Sequence, residues 1–198
     1  MNDHASPPCG ADDPDRAFAA NILGALSLAV ADRVEVGTSR AVGLGANGPA
    51  ALVMLLWYPD RPITHLASRL RISHPGAVQL SERLERAGLI ERHPGVDGRT
   101  KLLWLTPDGE KAAKAVMAGR RRVLDDALSA VPDAAVPALV EAVSTMLQAL
   151  ADDLLTSEFM CRMCDELSCP ERSCPVERAE PAPRHRRGTG YTTGADLR

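Results

Sequence analysis

Aromatic residues are scarce in this chain of 198 residues: Phe, Tyr and Trp occur twice each and make up 3% of the sequence. A core that has few large rings must be built mainly from Ala, Leu and Val, which favours closely packed helices. Apolar residues still amount to 45% of the chain. This is enough for the core of one domain of ordinary size with appendages.

The sequence also shows no targeting segment and no membrane-spanning segment. Residues 1–15 show no charged start followed by an apolar run, so no signal peptide is expected. No stretch approaches the length of a transmembrane helix, and we expect no association with a membrane. The protein is therefore predicted to be cytoplasmic, where thiols stay reduced.

The motifs of common enzyme classes are absent as well. The sequence contains no Gly-x-Ser-x-Gly, no P-loop and no dinucleotide-binding fingerprint. His65 and His93 are scattered and are expected to be ordinary surface residues. We therefore expect that the protein is not an enzyme.

The charge of the chain is unevenly distributed. The net charge is -3, which by itself argues against a nucleic-acid partner. Residues 61–122, however, carry 13 Lys+Arg against 6 Asp+Glu, whereas the remainder carries 10 against 20. A basic segment inside an acidic chain is typical of nucleic-acid-binding proteins. It would also suit an acidic protein partner, so both interpretations stay open.

Residues 63–106 predict two short helices followed by a β-hairpin. The first helix covers 63–70, with Thr64 as its N-cap and a turn at Arg71. Ser73 is the predicted N-cap of the second helix. The apolar residues of that helix recur at three- and four-residue spacing, which predicts a buried stripe. This stripe consists of Ala77, Leu80, Leu84 and Ala87.

The hairpin follows directly after the second helix. Gly88 suits the left-handed position that ends a helix, and a strand begins at Leu89. Gly95 and Gly98 supply the turn, and residues 101–105 return as the partner strand.

The face of the second helix opposite the stripe carries groups that can read base edges in a major groove. Gln79 could pair with adenine, and Val78 could contact a thymine methyl group. The alternative is that Val78 covers a neighbouring helix and that the arginines of this face are only solvated.

Three motifs follow one another along this region. They are the ungapped stretch LASRLRISHPGAVQLSERLERAGLIER over 66–92, the pair Asp97-x-Arg99, and Leu105-Thr106-Pro107-x-Gly109. Together they resemble the MarR family of bacterial winged helix-turn-helix transcriptional regulators, and the resemblance covers residues 16–156. It implies a mainly α fold with a small β-hairpin wing and with dimerisation helices from both termini.

The resemblance also implies a function. It implies an obligate homodimer that places its recognition helices in successive major grooves of double-stranded DNA, most often as a repressor, and a small-molecule effector. A wing arginine, here Arg99 oriented by Asp97, would enter the narrow, electronegative minor groove. The alternative is a surface ion pair of little energetic value. The residues expected at DNA are Thr64, Ser73, His74, Gly76, Val78, Gln79, Arg83, Arg99 and Lys101.

The helix-turn-helix and the hairpin of residues 63–106 are here called the reading head. The rest of the chain is predicted to flank it. Residues 1–15 and the basic tail 177–198 are expected to be disordered. The remaining helices have apolar faces, and the first and last of them form a plausible dimerisation platform. These helices are expected over 16–36, 50–57, 106–131 and 133–156, with a loop over 37–49.

Four of the five cysteines lie close together in residues 157–176. Cys161, Cys164, Cys169 and Cys174 have the spacing C-x2-C-x4-C-x4-C-P. In a reducing compartment this clustering indicates a metal site. A short segment with a terminal Cys-Pro favours an iron–sulfur cluster, with zinc as the alternative. Unligated or disulfide-paired thiols remain open, although the thin apolar surroundings argue against buried structural cysteines.

The sequence thus predicts a homodimeric DNA-binding regulator that responds to redox state or metal through its cysteines. A change at the metal site would reach the recognition helices through the dimerisation platform. The alternative is a winged-helix protein-interaction module with a structural zinc clip. An electron-transfer protein is a third possibility, but it leaves the reading helix and the wing unexplained.

Overall fold

The computed structural model describes residues 13–45, 47–95, 98–151, 154–169 and 174–178. Within these residues the fold is mainly helical, with one small antiparallel sheet, and the predicted fold class is confirmed. The elements in chain order are α1 (Pro14–Val42), α2 (Asn47–Trp57), β1 (Arg61–Pro62), α3 (Ile63–Leu70), α4 (His74–Arg86), β2 (Ile90–Pro94), β3 (Lys101–Leu105), α5 (Pro107–Leu128), a 3-10 turn (Asp133–Ala135), α6 (Val136–Leu150), α7 (Leu154–Met160) and α8 (Pro175–Arg178).

Several predictions concern residues outside these ranges. They include the role of Asp97 and most of the disorder predicted for residues 1–15 and 177–198. At the described ends of those two segments the prediction was wrong, because residues 14–15 belong to α1 and residues 177–178 belong to α8.

The core surrounds α2. Residues 50–56 of this helix are all buried, which agrees with its almost wholly apolar sequence. Residues from α3, α4, β2, β3 and α5 pack around it, and those that are fully or nearly fully buried include Leu66, Leu70, Leu80, Leu84, Ile90, Leu103 and Ala113. α2 is therefore the scaffold on which the helix-turn-helix rests.

The sheet contains a strand that the sequence pattern did not predict. Its order is β1-β3-β2, and Arg61 of β1 pairs with Leu103 of β3. The predicted hairpin is confirmed, with Ile90 opposite Leu105. β1 has only two residues, one of them proline, which is too short for an alternation of apolar and polar residues that would predict a strand. Its pairing with β3 depends on where α3 places this part of the chain.

α1 is longer than predicted at both ends. The side chain of Asp13 caps its start by accepting hydrogen bonds from the backbone N–H groups of Asp15 and Arg16, and Gly43 ends it with a φ of 65°. The prediction of a loop from residue 37 was wrong, because Gly37 lies inside the helix. A Cβ on Gly119 of α5 would lie 2.9 Å from the Gly37 carbonyl oxygen, so the glycines permit a close helix crossing.

Some details of the helix-turn-helix also differ from expectation. Ser73 caps α4 as predicted, and Gly88 adopts a φ of 69°. Pro62, without a side-chain cap, precedes α3, so Thr64 is not the N-cap. Ala87 is exposed, and the buried stripe of α4 continues through Ser81 instead. A buried serine cannot be recognised from apolar spacing alone.

The last long helix is broken. The sequence pattern predicts one helix over 133–156, with Pro137 delaying its start. Instead a 3-10 turn precedes α6, which ends at Leu150, and α7 follows after Ala151, whose φ and ψ of -90° and 67° are not helical. Ala151 is only 5% exposed and packs beside Cys174 and Val176, so tertiary contacts accompany the change of direction. α5 likewise ends at Leu128, earlier than predicted.

Large apolar side chains remain exposed on α1 and α6. On α6 no residue is buried, and the N-terminal half of α1 is exposed throughout. The exposed residues of these two helices are Phe18, Ile22, Leu23, Leu26, Leu28, Val36, Val136, Val140, Val143, Met146 and Leu150. Among the described residues of one protomer, no apolar side chains cover these faces.

The length of α1 corrects one further expectation. Within the described residues its 26-residue portion Pro14–Ser39 is long and apolar enough to cross a membrane, by length and composition alone. The expectation that no stretch approaches this length was wrong. α5 and α6 pass the same test only as a pair that is bent by 103°.

Gly109 of α5 lies so close to the backbone of Leu89 that a larger residue is expected to destabilise the protein. A Cβ on this residue would lie 1.9 Å from the carbonyl oxygen of Leu89, which is backbone and cannot rotate away. We expect Gly109→Ala to lower the free energy of unfolding by about 1–3 kcal/mol, the usual cost of forcing extra volume into a packed site. Chemical denaturation of the variant, followed by circular dichroism, measures this loss.

Gly24→Ala is the matched control for Gly109→Ala. Gly24 is also helical, but nothing lies within 4 Å of the position that its Cβ would take. Because alanine favours helix over glycine by about 0.5–1 kcal/mol, this variant should be neutral or slightly more stable. Equal denaturation midpoints for the two variants would contradict the steric argument.

Candidate nucleic-acid interface and cysteine cluster

The start of α4 presents an exposed polar surface. Ser73 accepts a hydrogen bond from the Gly76 N–H group at 3.2 Å, and Pro75 lies in the first turn, where no N–H group is required. Ser73, His74, Gln79 and Arg83 are exposed, whereas Gly76 and Val78 are partly buried. A helix end of this kind can approach the edges of base pairs, because Ser73 and Gly76 are small and the Gln79 amide can form hydrogen bonds with a base.

A buried polar link, which the sequence pattern missed, holds α4 against the wing. The Ser81 hydroxyl donates to the Val78 carbonyl oxygen at 2.8 Å and accepts from Nη2 of Arg92 on β2 at 3.2 Å. Nε of Arg92 also lies 3.0 Å from a carboxylate oxygen of Glu85 on α4. These contacts set the orientation of α4 relative to β2.

The hairpin after α4 forms the wing. The Gly95 N–H group donates to the Thr100 carbonyl oxygen at 2.8 Å, and Gly98 has a φ of 66°. Arg99 and Lys101 are exposed on the side of the tip that the structure describes. Asp97, which was predicted to orient Arg99, lies outside the described residues.

The four cysteines of the C-terminal segment come together. Within the described residues none of them forms a disulfide. The Cys161 and Cys164 thiols are hydrogen-bonded, and Cys169 and Cys174 are close enough to act electrostatically on Cys161. Cys174 is 8% exposed and packs in one apolar cluster with Ala151 and Val176. The expectation of thin apolar surroundings was therefore wrong for Cys174.

The thiols differ in acidity. The hydrogen bond with Cys161 lowers the pKa of Cys164 to about 7; burial opposes this shift, and the positive charges of Arg120 and Arg162 assist it. The same hydrogen bond, with burial, raises the pKa of Cys161. Cys164 is therefore the first of the pair to become a thiolate, the form that binds metals. Among the described residues, no three His, Cys, Asp or Glu side chains are already arranged as metal ligands.

The sequence matches no family model and no curated protein, but its structure resembles solved structures. The YusO protein from Bacillus subtilis is 20% identical, with a TM-score of 0.61 over 69% of this chain and 99% of that chain. The MarR family transcription regulator SP03579 is 25% identical, with a TM-score of 0.59 over 70% of this chain and 92% of that chain. A mutant of MepR from Staphylococcus aureus, bound to an oligodeoxyribonucleotide, is 17% identical, with a TM-score of 0.52 over 67% and 97%.

The chain has the fold of the MarR family of winged-helix transcription regulators. SP03579 and MepR are transcription regulators. In the MarR fold of this chain, the residues that were predicted to contact DNA lie on α3, on α4 with its N-cap, and on the hairpin. Thr64, like Gln79 and Arg99, is exposed. The contact of these residues with DNA stays a prediction.

The environment of His65 differs from the one expected from the sequence. His65 was expected to be an ordinary surface residue, but it is partly buried beside Tyr58, with ring centroids 6.4 Å apart. Its Nε2 atom has no hydrogen-bond partner in the part of the chain that the structure describes. Burial, assisted by the positive charges of Arg69 and Arg61, lowers its pKa from 6.5 to about 4. The imidazole is therefore neutral in the folded protein at neutral pH.

This shift predicts acid sensitivity. Between pH 6.5 and about 4 the unfolded chain binds a proton at His65 and the folded chain does not, so stability falls as pH falls through this range. We expect His65→Gln to show a smaller loss of melting temperature over the same range. His93→Gln, at an exposed position on β2, is the control and should follow the wild type. Identical pH profiles for all three proteins would contradict the assignment.

Proposed function

We propose that the chain is a sequence-specific DNA-binding transcriptional regulator that acts as a homodimeric repressor. The observation that carries this proposal is the exposed N-terminal face of α4, held by the Ser73 cap on a winged helix-turn-helix. Gln79 and Val78 would contact base edges in the major groove, and Arg99 would enter the minor groove. Such a protein acts where the chromosome is, which agrees with the predicted cytoplasmic location.

Charge and fold similarity support the DNA partner. Residues 61–122, which form the helix-turn-helix, the wing and most of α5, hold the basic excess of an otherwise acidic chain. Phosphates are the partner that such an excess attracts. MepR, which has the same fold, has been crystallised with an oligodeoxyribonucleotide.

The uncovered apolar faces support a homodimer. Exposed side chains such as Leu26 and Val140 recur along α1 and α6, from opposite ends of the chain. A second copy that covers them would remove this surface from water, which is the main favourable term in association. Two copies would also present two recognition helices, as a palindromic site requires.

A cavity within the described residues is a candidate place for a small-molecule effector. This cavity of about 350 Å³ lies between α1 and α5, within the size range of ligand pockets. It is lined by Asp32, Arg33, Val36, Gly37, Val123 and Asp126. Its exposed lining is mainly apolar, which would suit a largely apolar molecule.

The four cysteines are proposed to hold a metal centre. The hydrogen-bonded pair of Cys161 and Cys164, with the lowered pKa of Cys164, supports binding of a thiophilic metal, and Cys169 and Cys174 would have to move closer to complete the set of ligands. We favour an iron–sulfur cluster and keep zinc as the alternative. Absorption spectra and metal analysis of protein purified without oxygen separate the two, because zinc protein is colourless. Protein that contains neither iron nor zinc would refute the metal centre.

DNA binding is tested by fluorescence anisotropy with the DNA upstream of the protein's own gene and with scrambled DNA of equal composition. A regulator should prefer its site by at least about 1000-fold at physiological salt. A winged-helix protein-interaction module with a zinc clip, the alternative function, would show only weak binding that is equal for both DNAs and falls with salt.

A further inference from the structure

The segment that follows α6 packs against the domain of its own protomer. Along residues 156–166 no residue is exposed, and Ser157 of α7 is completely buried. Nε1 of Trp57, the last residue of α2, donates a hydrogen bond to the Cys164 carbonyl oxygen at 3.1 Å. Met163 packs against the main core. These contacts place α7 against α3, the first helix of the helix-turn-helix.

The turn between α3 and α4 has an arginine at a position where glycine is the usual residue. Arg71 has a φ of 52°, a left-handed conformation that is unfavourable for a residue with a Cβ. Its backbone N–H group donates to the Ser68 carbonyl oxygen, and that of Ile72 donates to the Ala67 carbonyl oxygen, both at 3.1 Å. This conformation ends α3. The direction in which α4 leaves α3 therefore depends on Arg71.

α7 holds the side chain of this arginine. Nη2 of Arg71 donates to the Thr156 hydroxyl, and the guanidinium lies over the Phe159 ring, 5.2 Å from its centroid. The guanidinium of Arg162 lies 3.9 Å from the same centroid. Cations in such positions are attracted to an aromatic ring. A glycine could make none of these contacts, so they offset the cost of the left-handed turn.

α3 is joined to α7 by a shielded ion pair. Nη2 of Arg69, in the last turn of α3, lies 2.9 Å from the Glu158 carboxylate, and the two side chains are only 13% and 18% exposed. The Arg69 guanidinium also lies over the Tyr58 ring, 4.2 Å from its centroid. Salt screens a pair with this degree of burial far less than an exposed pair. α7 is thus attached both to the end of α3 and to the turn that follows.

The docked segment leaves the predicted DNA-contacting surface open. On α3 it covers the side that carries Arg69, whereas Thr64 and Ser68 remain exposed. Ser73 and Gln79, which belong to the start of α4, are exposed as well. α7 and DNA can therefore lie on different sides of the helix-turn-helix at the same time.

We propose that α7 is a brace that fixes the angle between α3 and α4, and that operator preference depends on it. The operator is here the DNA upstream of the protein's own gene. The brace residues, which position Arg69 and Arg71 and do not themselves contact DNA, are Thr156, Glu158 and Phe159. This inference rests on the proposed function. All contacts of the brace are between protein groups, so it requires no metal on the cysteines.

The test removes one brace contact from the full-length protein and leaves every predicted DNA-contacting residue in place. Glu158→Ala deletes the carboxylate that pairs with Arg69. If the turn then keeps its geometry in only about a tenth of the molecules, operator affinity falls about tenfold, because only those molecules can bind the operator. Affinity for scrambled DNA should be unchanged or slightly higher, because an acidic group has been removed. Fluorescence anisotropy measures both affinities.

Three further variants control this result. Asp125→Ala is the matched control, because it removes a carboxylate from the exposed ion pair with Arg121 on α5, and it should keep the wild-type preference. Glu158→Gln keeps an oxygen that can accept from Arg69, so its preference should lie between those of Glu158→Ala and the wild type. Phe159→Leu removes the ring but keeps apolar volume, and it should also lower the preference. It tests the brace independently if Glu158→Ala does not fold.

Amide hydrogen exchange gives a readout at the turn itself. The Ile72 N–H group, which donates to the Ala67 carbonyl oxygen, should exchange faster in Glu158→Ala than in the wild type. Amides in the middle of α4 should keep their wild-type rates. A variant that has lost only overall stability would show faster exchange at both places, which would contradict a positioning role.

The remaining outcomes separate the brace from the proposed function. An unchanged operator preference in both Glu158→Ala and Phe159→Leu would overturn the brace and leave the DNA-binding function intact. Tighter binding to both DNAs would also overturn it, because the segment would then screen cations instead of positioning α4. An equal loss of affinity for both DNAs would mean that the angle of α4 does not decide the preference. If the wild type itself does not prefer the operator over scrambled DNA, the proposed function fails.

Discussion

Replacement of Gln79 and Arg99 together by Ala is expected to weaken operator binding by at least about 100-fold. Gln79 lies exposed near the start of α4, and Arg99 lies exposed on the wing, so the two side chains would read different grooves. A well-placed base contact contributes roughly 1–3 kcal/mol of discrimination, and separate contacts add approximately. Anisotropy titrations with operator and with scrambled DNA measure both affinity and preference.

The control for this variant is Gln148→Ala with Arg121→Ala, which removes the same residue types from α6 and α5. Neither residue lies on the helix-turn-helix or the wing. We expect this protein to retain the preference for the operator, apart from a small loss due to the general charge of Arg121. An unchanged operator preference in the Gln79→Ala, Arg99→Ala protein would mean that the assigned reading residues are wrong.

The second large effect is expected at the uncovered apolar faces. Leu26→Asp with Val140→Asp places a carboxylate on each of α1 and α6, at side chains that are 54% and 58% exposed in one protomer. Two copies would then bury four charges without partners, which is far costlier than the apolar contact is favourable. We expect a monomer in sedimentation experiments and a loss of operator affinity of about 1000-fold or more.

Thr145→Asp is the matched control on the same helix. At 100° per residue, position 145 lies on the face of α6 opposite Val140 and Val143, and its hydroxyl only donates to the Glu141 carbonyl oxygen. This variant should sediment and bind DNA like the wild type. If the Leu26→Asp, Val140→Asp protein remains a dimer and its fold is intact, another surface must form the interface.

The local features of the reading head followed from short sequence signals. Ser73 and Thr106 cap their helices through side-chain hydrogen bonds with Gly76 and Gly109, as their positions before proline-led helices predict. Gly88 ends the α4 region with a positive φ. These features depend on interactions within four residues, so a sequence pattern is sufficient to locate them.

Glycine and histidine positions were harder to interpret. The pattern places Gly37 in a loop, yet it lies in α1, where its carbonyl oxygen comes so close to α5 that a Cβ on Gly119 would lie only 2.9 Å from it. The pattern also places His65 at the surface, yet the packing of Tyr58 and the nearby arginines lowers its pKa. In both cases the deciding neighbour is distant in sequence or is brought close by the fold.

The sequence by itself determined the mainly helical class, the helix-turn-helix, the wing and the grouping of four cysteines, since each of these is encoded within a few tens of residues. Only the tertiary structure decided that α6 ends at Leu150 and that the cysteine loop returns to the reading head. The hydrogen bond from Trp57 to Cys164 joins residues 107 positions apart. No local periodicity encodes such a contact, because it depends on how the intervening helices pack against one another.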